Sequence, residues 1–168
     1  MNSIIEKIIE ISSNLPSEIV VFVLSMLPIS ELRGAIPVGI SVYKLSIEKA
    51  LFIALVGNFS FVIPFLLFLN TLHKHCMKIS WYKNFFNWWY SKVKAKTKNI
   101  EKYEYIGLTL FVGIPLPMTG AWSGCLASYI LGLNLWKSTI AIFLGILIAG
   151  IIVVFSTVGI EKIISLLI

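Results

Sequence analysis

The sequence predicts an all-α integral membrane protein: an inverted repeat of re-entrant helical hairpin plus transmembrane helix, with an amphipathic cytoplasmic-side helix between the halves. Three observations predict it. Of the 168 residues, 58% are hydrophobic and 13% charged, about half the charged share of soluble domains, and mean hydropathy is +0.91. Two apolar stretches are long enough to cross a bilayer, whereas others are about half that length and end at proline. The order short leg, polar turn, short leg, long helix then occurs twice in a single 168-residue domain.

The net charge of +6 comes mainly from one block, residues 73–104, whose only acids are Glu101 and Glu104. Beside apolar spans such a block reports topology and anionic lipid contact, so no nucleic-acid partner is expected. Cys76 and Cys125 are distant and form no disulfide framework.

Residues 1–15 place Ile4, Ile5, Ile8, Ile9 and Ser12 at helical spacing, with Glu6, Lys7 and Glu10 on the other side. That suits an interfacial helix, or a leader packed on the body, and not a secretory signal. Residues 18–44 read as the first re-entrant hairpin. The leg Glu18 to Leu27 is about 15 Å long, half of a hydrocarbon core about 30 Å thick, and Pro28 ends it. A polar tip with Glu31 and Arg33 follows, then a second leg from Ile36 to Tyr43. One continuous span over Ile19 to Tyr43 would bury both charges at its centre and hold Pro28 and Pro37 inside a helix; a hairpin avoids both.

Residues 46–72 form the first transmembrane helix, interrupted near its middle by Gly57 and Asn58. Close helix packing explains such small residues, and Asn58 alternatively faces a polar cavity. Residues 73–104 are a basic, aromatic interfacial segment: Trp81, Tyr82, Phe85, Phe86, Trp88, Trp89 and Tyr90 interleave with lysines, placing rings at headgroup depth. His73 and His75 lie on different helix faces with no further ligand beside Cys76, so no metal site is expected. Residues 105–133 are the second hairpin. Its first leg stops at Pro115 and Pro117, and Thr119-Gly120 is placed to cap a half-helix from Ala121 to Leu133. Residues 136–158 are the second span, containing Gly145 and Gly150.

The repeat is visible in register: Leu45, Lys49 and Gly57 match Leu133, Lys137 and Gly145 at an offset of 88, and Gly34-Ala35 matches Gly120-Ala121 at an offset of 86. A hairpin returns to its own side, so each half crosses once and the halves are inverted. Excess lysine puts residues 73–104 in the cytoplasm and both termini outside. The two tips then approach one another near the midplane, each descending leg presenting unpaired N–H groups there.

At that site Arg33, the only arginine of the chain, offers a planar fork for phosphate or carboxylate. Glu31 balances it when the site is empty, or takes up a proton when substrate arrives. The bland alternative is that Glu31 and Arg33 pair only to hold the hairpin shut. The candidate substrate-contacting residues are Ser30, Glu31, Arg33, Gly34 and Pro37 of the first tip, Thr119, Gly120 and Trp122 of the second, and Asn58 of the first span. The second tip carries no charge, and with Thr119, Trp122 and Ser123 it reads as a lid or shape-reading wall. No nucleophile–base pair, phosphate loop or cofactor motif stands out, so no enzyme and no cofactor is expected.

Ser30-Glu-Leu-Arg-Gly-Ala-Ile-Pro-Val-Gly39 and Ile114-Pro-Leu-Pro-Met-Thr-Gly-Ala-Trp-Ser-Gly124 resemble the two signature stretches of the small multidrug export protein family. That family is in turn similar to the wider DedA superfamily. The resemblance implies paired re-entrant hairpins and movement of polyprenyl-phosphate carrier lipids, such as undecaprenyl phosphate, or of other phospholipids. Glu31 and Arg33 match the acidic residue and arginine of the first DedA hairpin; the second usually holds another arginine, where this chain has Met118 and Thr119. The expectation is a multi-pass transporter of a bacterial-type plasma membrane that moves an anionic lipid by alternating access. Drug export is the second transport reading, and a non-transporting scaffold or regulatory subunit is the reading of another class. A homodimer would shield the hairpins from lipid.

Overall fold

The computed structural model describes residues 15–71, 73–97, 104–116 and 119–167, and every regular element among them is helical. They divide into two compact units. One holds the described residues through Asn58 and those from Val153 on; the other runs from Phe59 to Ile152. The helix expected over the first 14 residues, the end of the basic segment and Pro117-Met118 lie outside the described residues.

In the first unit, α1 (Ser17–Met26) starts on Pro16, whose carbonyl accepts the Ile19 N–H at 2.9 Å. Glu18 in its first turn meets Lys49 Nζ at 2.5 Å. The helix stops because Leu27 precedes Pro28: the proline ring excludes helical backbone before it, and Leu27 is extended (φ −74°, ψ 135°). A short turn leads to α2 (Glu31–Pro37), packed against α1. The helix after the turn therefore begins at Glu31, not at Ile36, so the motif expected at a polar tip lies on a helix. Pro37 has no N–H to give the Arg33 carbonyl. A π-helical stretch, Val38–Val42, follows, with Tyr43 N–H bonded to Val38 O at 3.0 Å. Such local widening re-satisfies backbone freed by proline.

The chain then turns through Lys44, left-handed at φ 53°, and Ser46 Oγ accepts the Lys49 N–H at 3.4 Å to open α3 (Ile47–Ser60). After a single turn residue, Phe61, α4 (Val62–Thr71) continues the run. Together they form a stretch, Ile47–Thr71, long and apolar enough to cross a membrane. The expected interruption at Gly57 and Asn58 is not there; both are helical and buried. The break falls at Phe61 because Pro64, four residues after Ser60, neither donates to the Ser60 carbonyl nor fits against it. Gly57 instead serves packing. A Cβ there would lie 2.6 Å from the Phe22 carbonyl oxygen and 2.1 Å from Ser25 Oγ, both on α1.

In the second unit, α4 is followed by α5 (His73–Cys76) and α6 (Ser80–Thr97). Then come α7 (Glu104–Gly113) and α8 (Ala121–Ile130). The central element is α8, packed against α4, α6 and α7. Its buried residues, Ala121, Ser123, Gly124, Cys125, Leu126, Ala127 and Ser128, are nearly all small, which lets neighbouring backbones approach. It ends on Gly132 (φ 62°), with the Leu133 N–H bonded back to Ser128 O at 3.0 Å. That is the left-handed termination glycine permits. Asn134 Oδ1 then accepts the N–H groups of Trp136 (3.1 Å) and Lys137 (3.3 Å). This opens α9, Leu135–Leu167. Its 33 residues outrun the expected 136–158 because no proline interrupts the chain after residue 117. Leu135–Ile160 is the second stretch long and apolar enough to span. Gly145 on it approaches α7 as Gly57 approaches α1: an added Cβ would sit 2.8 Å from the Thr109 carbonyl oxygen and 2.6 Å from Val112.

Gly57→Ala tests this packing. The Ser25 hydroxyl can rotate away, but the Phe22 carbonyl moves only with α1, so a loss of about 1–3 kcal/mol is expected from overpacking. Unfolding in detergent micelles measures it. Gly159→Ala is the control, since a Cβ there meets open space and gains helix propensity.

Candidate functional site

The site residues of the first unit sit on two elements. Glu31 opens α2 with φ 42° and is 7% exposed. A non-glycine residue in the left-handed region costs on the order of 1 kcal/mol, and burial adds the cost of removing a carboxylate from water. Arg33, one further half-turn along, is half-buried. Both residues engage other groups. The Ser30 hydroxyl, expected to contact substrate, donates to the Leu24 carbonyl at the end of α1. Ser30 O also accepts the Gly34 N–H at 2.9 Å. Gly34 is glycine for space, since a Cβ would lie 2.6 Å from Ser30 Cβ. Ser30 and Gly34 thus build the turn on which Glu31 and Arg33 ride, while Pro37 lies at the far end of α2.

Asn58, on α3, is 1% exposed. Its Nδ2 donates to the Ser25 carbonyl at 3.0 Å, which fixes the amide orientation, because a flip would set oxygen against oxygen. Its Oδ1 is left buried without a hydrogen-bond partner. Ser25, itself fully buried, donates its hydroxyl to Phe22 O at 2.6 Å. Ser25 was not among the expected site residues, although it is the one polar side chain between Ile19 and Leu27.

In the second unit, Thr119 works in the direction opposite to the one expected. Gly120 is the N-cap of α8 and no side chain caps that helix. The Thr119 hydroxyl lies 2.8 Å from Ile114 O and 2.6 Å from Leu116 O, and accepts the Leu116 N–H at 3.0 Å. It thereby closes the end of α7 around Pro115. Gly120 at φ 121° takes a backbone conformation that side chains exclude. Trp122 stacks on Phe61 (4.2 Å between centroids, 18°) and tilts against Phe65 at 4.7 Å. Its ring belongs to a row that continues through Phe65 to Trp89.

His73 is buried, with Nδ1 2.9 Å from the Tyr82 hydroxyl and its ring 3.9 Å from that of Phe86. Burial pushes its pKa below the ordinary 6.5, and burial first, then nearby Cys76 and Tyr129, pushes Tyr82 above its ordinary value. Among the described residues no group of three or more His, Cys, Asp or Glu is placed to hold a metal ion.

The family model described as "putative small multi-drug export protein" matches residues 31–152, more than two thirds of the chain, beginning at Glu31. The chain belongs to this family. No curated protein and no solved structure matches it. The matched region holds every candidate site residue except Ser30, together with both apolar stretches up to Ile152.

Asn58→Leu removes one hydrogen bond but also the unpartnered oxygen, whose burial costs about 1–3 kcal/mol. Stability should therefore change by less than about 1 kcal/mol, while transport is lost if the amide serves substrate. Melting and transport measured on the same preparation check this. His73 supplies a pH dependence. Its folded pKa lies below the unfolded value, so its contribution to stability is complete above pH 6.5 and is lost as pH falls through the folded value. Melting temperature between pH 8 and about pH 5 should fall less in His73→Phe than in the wild type.

Proposed function

We propose that this family member is a small multi-pass transporter of a bacterial-type plasma membrane, with Arg33 holding the anionic group of its substrate and Glu31 exchanging a proton during the cycle. The observation that carries the proposal is Glu31: a buried carboxyl on left-handed backbone, two residues from the only arginine. Ionisable groups among membrane helices cost about 2.5 kcal/mol or more each and mark substrate paths or proton relays.

The re-entrant reading of residues 18–44 and 105–133 rests on length. The helices α1, α7 and α8 have 10 residues each, about 15 Å, against hydrocarbon about 30 Å thick. The inverted-repeat reading gains support from equivalent local chemistry at offsets of 87 and 88. Lys44 and Gly132 are left-handed, and Ser46 and Asn134 accept from Lys49 and Lys137. Gly57 crowds Phe22 and Ser25, as Gly145 crowds Thr109 and Val112.

The substrate we favour is an anionic lipid, either a polyprenyl phosphate such as undecaprenyl phosphate or a phospholipid, moved by alternating access in the manner of the DedA superfamily. The family description favours a second reading, export of drug-like small molecules. Native mass spectrometry of protein purified with its lipids separates them. Wild type should retain a phosphate-headed lipid and Arg33→Ala should lose it by about ten-fold or more, the worth of a charge-assisted hydrogen bond. Arg33→Lys should recover part of the binding. No anionic lipid on either form, with dye efflux from proteoliposomes intact, would replace this reading with drug export. Neither lipid nor efflux, with Arg33→Ala unable to fold, would leave a structural role.

A further inference from the structure

Helix α6 carries two rows of rings one residue out of phase. Tyr82, Phe86, Trp89 and Val93 recur at helical spacing and face inward. Phe86 and Val93 are buried, Tyr82 meets His73 and Phe68, and Trp89 meets Phe65. Trp81, Phe85 and Trp88 form the second row, with 76%, 48% and 52% of their surfaces exposed. Trp81 stacks on Phe85 at 6.0 Å, and Phe85 lies 6.2 Å from Trp88, so the row is a continuous aromatic stripe. Exposed Lys92 continues it one turn beyond Trp88, and no acid occurs anywhere from His73 to Thr97 against six lysines.

The inner row sets the depth of this stripe. Phe65 and Phe68 lie in the last two turns of α4, which close the apolar stretch Ile47–Thr71. A helix laid against those turns sits where the span leaves the hydrocarbon. We infer that the outer row of α6 docks on an anionic membrane surface, with Trp81, Phe85 and Trp88 at headgroup depth and Lys92 paired to a lipid phosphate. The charge is complementary, and indole and phenyl rings beside lysines suit the interface of bilayer and water. The same helix packs against α8, so membrane contact holds that helix as well. This inference is independent of what Arg33 binds.

The test uses full-length protein in nanodiscs with Trp89, Trp122 and Trp136 replaced by Phe, leaving Trp81 and Trp88 as emitters. With phosphatidylglycerol present, emission should be quenched by lipid brominated near the glycerol end more than by lipid brominated at the chain end, and weakly by aqueous iodide. Lys92→Gln should reduce the preference for phosphatidylglycerol over phosphatidylcholine by about five-fold at low salt, and Lys83→Gln, on the opposite face, should reduce it less. If the triple Trp variant does not fold, a spin label on Phe85→Cys, with Cys76→Ser, reads the same face by oxygen against nickel-chelate accessibility. Iodide quenching without bromolipid quenching would show a face turned to water and overturn the inference. Quenching by neither would show a face covered by protein, a second copy or a partner, and overturn it equally. Equal bromolipid quenching in pure phosphatidylcholine, with no effect of lysine removal, would overturn its anionic part.

Discussion

Backbone polar groups in hydrocarbon have no water to turn to, so each place where a helix breaks has to be closed by groups of the chain itself. The breaks after α1 and α7 are made by proline and closed by a neighbouring hydroxyl. At the end of α1 the Leu24 carbonyl takes both the Leu27 N–H and the Ser30 hydroxyl, and the Leu27 carbonyl takes the Glu31 N–H. At the end of α7 the Thr119 hydroxyl accepts the Leu116 N–H and has the carbonyls of Ile114 and Leu116 as alternative acceptors for its one proton. Each group left open inside the protein would cost about 1–3 kcal/mol. Pro28 and Pro115 are thus tolerable because Ser30 and Thr119 stand two and four residues later.

Once the breaks are closed, the short helices need support along their length, and glycine supplies it. Gly57 lets α3 meet the α1 backbone at Phe22, and Gly145 lets α9 meet the α7 backbone at Thr109. Gly124 does the same for α8, where a Cβ would lie 2.4 Å from Val112 Cγ2. Without a hydrophobic drive between helices in lipid, such close contact is the main source of cohesion. It also confines what it surrounds. Asn58 sits one residue beyond Gly57, so its amide is drawn inside, one end bonded to Ser25 O and the other unpartnered. A tight glycine contact and an unsatisfied polar atom are adjacent consequences of one helix crossing.

Much of this was legible because the marks are strong and local: the prolines that stop α1 and α7, the lengths of the two apolar stretches, the ringed and basic α6. The positions of Glu31 and Arg33 were legible as a motif, but not that they lie on a helix. A proline six residues later reads as a stop, and only the π-helical stretch after Pro37 reveals how the helix passes it. The break at Phe61 was missed for a related reason. Pro64 acts four residues upstream, on the Ser60 carbonyl, and the eye goes to Gly57 and Asn58 instead. Thr119 before a helix looks like a cap, and sequence alone does not say that its hydroxyl reaches backward. Hydroxyl direction, like the close approaches at glycine, belongs to tertiary structure.

Left-handed backbone by itself is no sign of function in this chain. Lys44 has φ 53°, but its side chain is exposed and simply ends a helical leg. Gly132 does the same at φ 62° with no side chain at all. Glu31 differs because the backbone strain coincides with burial. Glycine there would remove both costs: it adopts positive φ without a steric penalty and buries no carboxyl. A role confined to turning the chain would be met by glycine at lower free energy. What sets Glu31 apart is therefore its carboxyl group, two residues along the chain from the one arginine. That coincidence of strain, burial and charge is what the proposed role of Glu31 rests on.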